Sequence, residues 1–261
     1  MLVALASLNQ IWENKEANLD ACKGLLSKSK TYGVDLIIFP EMTLTGFSTN
    51  VSVTGESKDV SPTVESFVKL CKEFGIGVIF GVTFLEKAKG TNNALFLDKS
   101  GATLGSYQKI HPFSLSGEDK CFTAGNKIVY VDFESLVIGI TICYDLRFPE
   151  LYSALGAKAE LIVNIANWPT TRIDHWTTLL RARAIENQVY LAGVNRIGVD
   201  GNELCYTRSS ILVDPNGQLL EPTYTEGDLD VYELDKASLL DHRREFSTTQ
   251  DRVPQLYKNL L

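Results

Sequence analysis

Blocks of unbroken apolar residues alternate along this chain with stretches in which apolar positions recur every three or four residues. Leu136-Val137-Ile138-Gly139-Ile140-Thr141-Ile142 is short and rich in β-branched residues, and it stops abruptly at Cys143-Tyr144-Asp145-Leu146-Arg147. It reads as a buried strand with Cys143 at its end, and Pro149-Glu150 suits the first turn of a helix that continues to residue 155. Residues 3–8, 34–39, 76–84, 128–133, 161–166 and 189–194 read as further strands. Residues 16–32, with Leu19, Cys22, Leu25 and Leu26 on one face and Gly33 behind them, form an amphipathic helix, as do 64–74, closed by Gly75, and 175–188. A hairpin joins 94–97 to 102–105 across Asp98-Lys99-Ser100-Gly101. Strands at 210–213 and 230–234 and a helix at 236–244 follow, and 245–261 carry no pattern that selects a form.

Strands alternating with helices and interrupted by hairpins imply an α/β protein. The strands are near-continuously apolar, so both of their faces need cover. Two mixed sheets packed face to face, with helices outside, would supply it. No linker, repeat or break in composition divides the chain, so residues 1–261 are expected to form one domain.

Composition narrows the function. The formal net charge of −7 argues against a general nucleic-acid binder and favours a small-molecule ligand. Five cysteines, odd in number and not closely paired, fit reduced thiols, and three histidines without zinc-ligand spacing predict no metal site. No apolar run approaches the ~20 residues of a membrane span, and the first residues lack a basic segment, so a cytoplasmic protein outside the membrane is expected.

Chemistry-bearing residues cluster where strands run out. Glu41 follows the strand 34–39. Lys109 follows Ser106-Tyr107-Gln108, just before a proline that forbids a helix, and Cys143 ends 136–142. A fourth strand end opens through Asn167-Trp168-Pro169 into Thr170-Thr171-Arg172. Taken singly, Glu41 is an exposed loop carboxylate, Lys109 a solvated lysine, Cys143 a buried thiol, and Gly117-Glu118-Asp119 a surface acidic turn. Taken together, the strand ends bring a carboxylate, an ammonium and a thiol to one sheet edge. A thiol with an ordinary pKa of ~8.5 needs such a base or cation to act as a nucleophile at neutral pH.

Phe39-Pro40-Glu41, Tyr107-Gln108-Lys109 and Cys143-Tyr144-Asp145-Leu146-Arg147-Phe148-Pro149-Glu150, in that order and over nearly the whole chain, resemble the three motifs of the nitrilase, or carbon–nitrogen hydrolase, superfamily. The resemblance implies an αββα four-layer sandwich that commonly dimerises, here as a homodimer, and no cofactor. It implies Cys143 as nucleophile, Glu41 as general base and Lys109 as the cation at the tetrahedral intermediate, beside a backbone N–H near Tyr144. Glu118 matches a second glutamate often found near that site, where it orients Lys109 or the substrate.

Tyr144-Asp145 after the cysteine is similar to amidase branches. Asn167-Trp168-Pro169 with Arg172, followed by Arg181-Ala182-Arg183-Ala184-Ile185-Glu186-Asn187-Gln188, resembles the omega-amidase group, which hydrolyses the side-chain amide of alpha-ketoglutaramate. The expected activity is therefore cleavage of a small non-peptide amide through a thioester, with ammonia released. Arg172, Trp168 and Phe113 are expected around the substrate, Arg172 gripping its carboxylate. An N-carbamoyl amidase with the same triad and an idle binding or scaffold protein on the same fold are the alternatives. Arg208 departs from the pattern, standing where relatives often have glycine.

Overall fold

The β-branched residues Val137, Ile138, Ile140, Thr141 and Ile142 make Leu136–Ile142 a strand whose two faces meet different layers, and the rest of the fold is arranged around such strands. The computed structural model describes residues 1–260. In chain order the elements are β1 (Leu2–Ala6), α1 (Lys15–Thr31), β2 (Leu36–Ile38), α2 (Val51–Thr54), α3 (Pro62–Phe74), β3 (Gly77–Glu86), β4 (Lys89–Leu97), β5 (Thr103–Gln108) and α4 (Glu118–Cys121). There follow β6 (Tyr130–Phe133), β7 (Leu136–Ile142), α5 (Pro149–Gly156), β8 (Leu161–Ala166), α6 (Ile173–Asn187) and β9 (Tyr190–Asn195). The last are β10 (Gly198–Val199), β11 (Cys205–Tyr206), β12 (Ile211–Val213), β13 (Tyr224–Glu226), β14 (Leu229–Glu233), α7 (Lys236–Glu245) and α8 (Pro254–Leu260).

One sheet has the order β13-β14-β1-β2-β3-β4-β5 and the other β12-β9-β8-β7-β6. Each is parallel at its centre, through β1-β2-β3 and β7-β8-β9, and antiparallel toward its edges. The inner faces meet through Val3, Leu5, Ile38, Ile79 and Phe96 on one side and Ile138, Ile140, Val163, Ile165 and Val194 on the other. Outside the first sheet, Ile37, Phe39 and Phe80 pack on Cys22 and Leu26 of α1 and on Phe67 of α3, with the Phe67 and Phe80 rings stacked at 4.0 Å. Outside the second, Ile162 and Leu191 pack on Leu155 of α5 and on Trp176 and Leu180 of α6. Each such side chain contributes ~1.5–3 kcal/mol by burial. This is the four-layer αββα sandwich of two mixed sheets with outer helices.

Local chemistry sets the helix ends. Helix α3 starts with Pro62 behind the capping hydroxyl of Ser61, which accepts from Val64 N at 3.2 Å, and stops at Gly75 with φ 71°. Glu56 reinforces that start: its carboxylate accepts from Thr63 N at 3.1 Å, Thr63 Oγ1 at 2.6 Å, the Ser61 hydroxyl, and Lys15 Nζ at 2.7 Å.

Several boundaries depart from the sequence pattern. The hairpin strand expected at 94–97 begins at Lys89, because its first half is polar and pairs along the full length of β3. The strand expected at 34–39 shortens to Leu36–Ile38 as the chain turns toward Glu41. The β10-β11 hairpin and β13 lack apolar alternation altogether, and the segment left open at 245–261 carries a single helical turn at Thr249–Asp251 and then α8. No helix among the described residues is long and apolar enough to cross a membrane.

Candidate active site

The carboxyl ends of parallel strands are where an α/β sheet leaves a crevice, and β2, β7 and β8 all deliver side chains there. After β2, Pro40-Glu41-Met42 turns sharply, with Met42 in the left-handed region at φ 46°. The turn is held from inside by Gln10, whose side-chain amide donates to the carbonyls of Glu41, Met42 and Thr43 at 3.0, 3.0 and 3.1 Å. It also presses against Gly81 of β3, where an added Cβ would lie 2.2 Å from Met42 N, so glycine is required for this approach.

Cys143 ends β7 at φ 47° and opens a 3-10 turn, Cys143–Arg147. The buried Asp145 carboxylate ties this turn down. It accepts from Ile142 N at 3.0 Å, Tyr107 Oη at 2.7 Å and His111 N at 3.0 Å, and it faces His111 Nδ1 at 2.7 Å. Tyr107 and His111 flank Lys109, so the turn that carries the thiol and the strand end that carries the ammonium share one anchor. A buried carboxylate surrounded by donors holds geometry well, since losing one donor leaves a charge unsatisfied.

Lys109, Glu41 and Glu118 meet under the strand ends, each at most 1% exposed. Lys109 Nζ lies 3.0 Å from Glu41 Oε1, 2.8 Å from Glu118 Oε2 and 3.1 Å from Glu118 Oε1. Glu118 Oε2 also accepts from Phe113 N at 2.6 Å. A short helix turns Glu118 inward, beside Lys109 where the family resemblance had it, while Asp119 faces out. Glu41 Oε2 accepts from Asn167 N at 3.0 Å, and Cys143 Sγ lies 3.9 Å from the carbonyl oxygen of that same Asn167.

The charges set the protonation states. Burial would pull the Lys109 ammonium down, but the carboxylates of Glu118 and Glu41 outweigh it and hold the value well above that of an ordinary lysine. Burial pushes the Cys143 thiol well above its ordinary value, the Glu41 carboxylate adds to this, and Lys109 offsets only part. The resting site thus pairs a neutral thiol with a carboxylate that accepts hydrogen bonds on both oxygens.

A cavity of about 400 Å³ opens above these groups, with Lys109, Cys143 and Asn167 at its base and Trp12, Phe47, Phe113 and Tyr206 among its walls. Arg172 also lines it, its guanidinium 5.7 Å from the centre of the Phe113 ring. Trp168 is 3% exposed and borders only a narrow side cleft beside Cys143; its indole donates to the Arg172 carbonyl at 2.8 Å and its ring lies under Arg147. The Tyr144 ring packs on Phe113 at 4.8 Å in that cleft. Asn92 was not singled out by the sequence, because it sits in the polar half of β4 where no pattern marks a strand. In the sequence Asn167 stands out only as part of the Asn167-Trp168-Pro169 loop motif. No cluster of His, Cys, Asp and Glu among the described residues is arranged to hold a metal ion.

Comparison with known proteins agrees with this architecture. A family profile described as carbon-nitrogen hydrolase matches residues 2–241. The omega-amidase YafV of Escherichia coli is 35% identical over 222 residues, covering 84% of each chain. The 2-oxoglutaramate amidase of Bacillus subtilis is 30% identical over 226 residues, 85% of this chain and 86% of its own. The crystal structure of a CN-hydrolase superfamily protein of Xanthomonas campestris, bearing an arsenic adduct in its active site, superposes with a TM-score of 0.90 over 97% of both chains at 30% identity. The chain belongs to the carbon–nitrogen hydrolase family of the nitrilase superfamily, and is a hydrolase of carbon–nitrogen bonds other than peptide bonds.

Proposed function

We propose that this hydrolase is an omega-amidase, releasing ammonia from the terminal amide of a short dicarboxylate monoamide such as 2-oxoglutaramate. The observation that carries the reading is one cavity with Cys143 and Lys109 at its base and the Arg172 guanidinium on its wall. That layout suits an amide at one end of a substrate and a carboxylate at the other. Relatives named omega-amidase and 2-oxoglutaramate amidase support it.

In this mechanism Cys143 Sγ attacks the amide carbon while its proton passes to Glu41. A thiol held neutral at rest requires a base at the moment of attack. The oxyanion is met by Lys109, two of whose N–H groups are spent on Glu41 and Glu118, and by the main-chain N–H of Tyr144 at the start of the 3-10 turn. Collapse breaks the C–N bond; the leaving nitrogen takes the proton from Glu41 and departs as ammonia, leaving a thioester on Cys143. Water, deprotonated by Glu41, attacks the thioester and frees the acid and the thiol. Glu118 keeps Lys109 in place throughout. Purified protein should release ammonia without carbon dioxide from 2-oxoglutaramate; carbon dioxide release from an N-carbamoyl substrate, with no turnover of the amide, would overturn the reading.

A further inference from the structure

Asn92 lies beneath the cavity in β4, 2% exposed, and touches the two glutamates rather than the thiol. Its side-chain amide donates to Glu41 Oε1 at 2.7 Å and to Glu118 Oε1 at 3.0 Å. The Lys109 ammonium reaches the same two oxygens at 3.0 and 3.1 Å. Two donors and two acceptors therefore alternate in a closed ring: Glu41 Oε1, Lys109 Nζ, Glu118 Oε1, Asn92 Nδ2. The orientation of the amide follows from its partners, since the flipped form would set a carbonyl oxygen against two carboxylates.

Two further features separate this residue from ordinary packing. Its Oδ1 is buried and has no hydrogen-bond partner among the described residues, so the side chain's hydrogen bonds all go to the two carboxylates. Its main-chain carbonyl accepts from Lys109 N at 2.9 Å, so its backbone already fixes the strand end that carries the lysine. Changing the side chain leaves that bond intact and removes only the ring.

We propose that Asn92 is a positioning residue that aims Glu41 for proton transfer, by donating simultaneously to both carboxylates that share Lys109. One ammonium cannot satisfy two buried carboxylates by itself, and like charges this close push protons onto one another. The amide supplies a second bridge without a second charge, so the lysine keeps one N–H for the cavity. The titratable groups beside Glu41 are Lys109, Glu118 and Cys143, and of these Lys109 donates a hydrogen bond to it at 3.0 Å. The inference rests on Glu41 acting as the base for Cys143.

The test is alkylation of Cys143 by iodoacetamide across the acidic range, which needs no amide substrate, alongside steady-state hydrolysis of 2-oxoglutaramate. In Asn92→Ala the acidic limb of the alkylation profile should move up by about half a pH unit or more, because the carboxylate loses a donor to its charged form. Hydrolysis should lose roughly tenfold to hundredfold in kcat, with KM changed less than about twofold, as for a displaced catalytic group. Asn92→Asp keeps the shape but adds a third carboxylate, so it should be the slower variant; it also carries the test if the alanine variant does not fold. A folded variant whose alkylation limb matches wild type overturns the proposal, even if kcat falls, because that pattern marks packing alone. So does Asn92→Asp at full reactivity. Wild type that hydrolyses no amide at all would remove the omega-amidase reading and leave the alkylation result to stand.

Discussion

Asn167 grips Glu41 twice, its main-chain N–H donating to the Glu41 carboxylate at 3.0 Å and its side-chain amide to the Glu41 carbonyl at 2.7 Å. Glu41 follows a strand of one sheet and Asn167 a strand of the other. The pair therefore spans the interface between the sheets where Lys109, Glu118 and Cys143 gather. Fixing Glu41 through both its backbone and its carboxylate ties it to the sheet that also carries Cys143, whose Sγ lies 3.9 Å from the carbonyl oxygen of the same Asn167.

Cys143→Ala is expected to abolish hydrolysis and leave the fold intact. Mass spectrometry of wild type quenched during turnover should find an acyl adduct on Cys143 and on none of the other four cysteines. Cys22 and Cys71 are buried, and burial pushes their thiols up, Cys71 to about 12. An adduct elsewhere, or turnover above a few per cent in the variant, refutes the covalent mechanism.

In the proposed mechanism Glu41→Gln keeps the shape of the side chain but loses the proton acceptor, and a general base is typically worth ~10²–10⁴-fold in rate. Lys109→Met removes the cation that the same mechanism places at the oxyanion, typically ~10²–10³-fold in kcat. The second variant also strands two buried carboxylates, so its melting temperature should fall as well. Near-normal kcat in either variant removes that residue from the reaction.

The free enzyme should show an unusual thiol profile. An ordinary cysteine gains reactivity as it ionises near pH ~8.5. Burial and Glu41 raise the Cys143 value well beyond that, so its alkylation rate should stay flat through mildly alkaline pH instead of climbing. A rise centred near the ordinary thiol value would mean that the site is wetter and less acidic than its geometry implies.

Arg172 accounts for selectivity in the proposed reaction. Arg172→Met should lower kcat/KM on an acidic ω-amide by roughly tenfold to hundredfold, the worth of a charged hydrogen bond, and leave a neutral amide of equal length unchanged. Equal loss on both, or none on either, sinks the assignment.

Glu56 tests the frame rather than the site. Burial alone would raise its carboxyl, but Lys15, Ser61 and Thr63 hold it below its ordinary value of 4.5. A depressed folded value means that its stabilisation is present above the ordinary glutamate range and is lost as pH falls through the folded value. Glu56→Gln should therefore cost about 2 kcal/mol at neutral pH, read as a drop of roughly 4–8 °C in Tm. The gap should close in acid, where wild type is protonated too; a gap unchanged by pH would show that charge is not the cause.

Much of this was legible in the chain because strand ends are abrupt. Ile142 to Cys143 and Ala166 to Asn167 are apolar-to-polar steps, and they put the thiol and the second loop where the structure has them. Glu118 and Asn92 were harder for a common reason. Both are polar residues buried among polar partners, so neither local pattern nor hydropathy distinguishes them from solvent-facing positions; only the sheets that converge on them do. Trp168 shows the reverse: an aromatic beside the site reads as a substrate contact, yet most of it is consumed in supporting Arg172 and Arg147.

The left-handed backbone at Cys143 sets stability against chemistry at a single position. A φ of 47° costs a side-chain-bearing residue roughly 1–2 kcal/mol that glycine would not incur. The most comfortable occupant of that turn is thus the one residue that can do no chemistry there. Any selection or engineering that rewards heat resistance alone will drift toward emptying this position of its thiol, and under the proposed mechanism only demand for turnover opposes that drift.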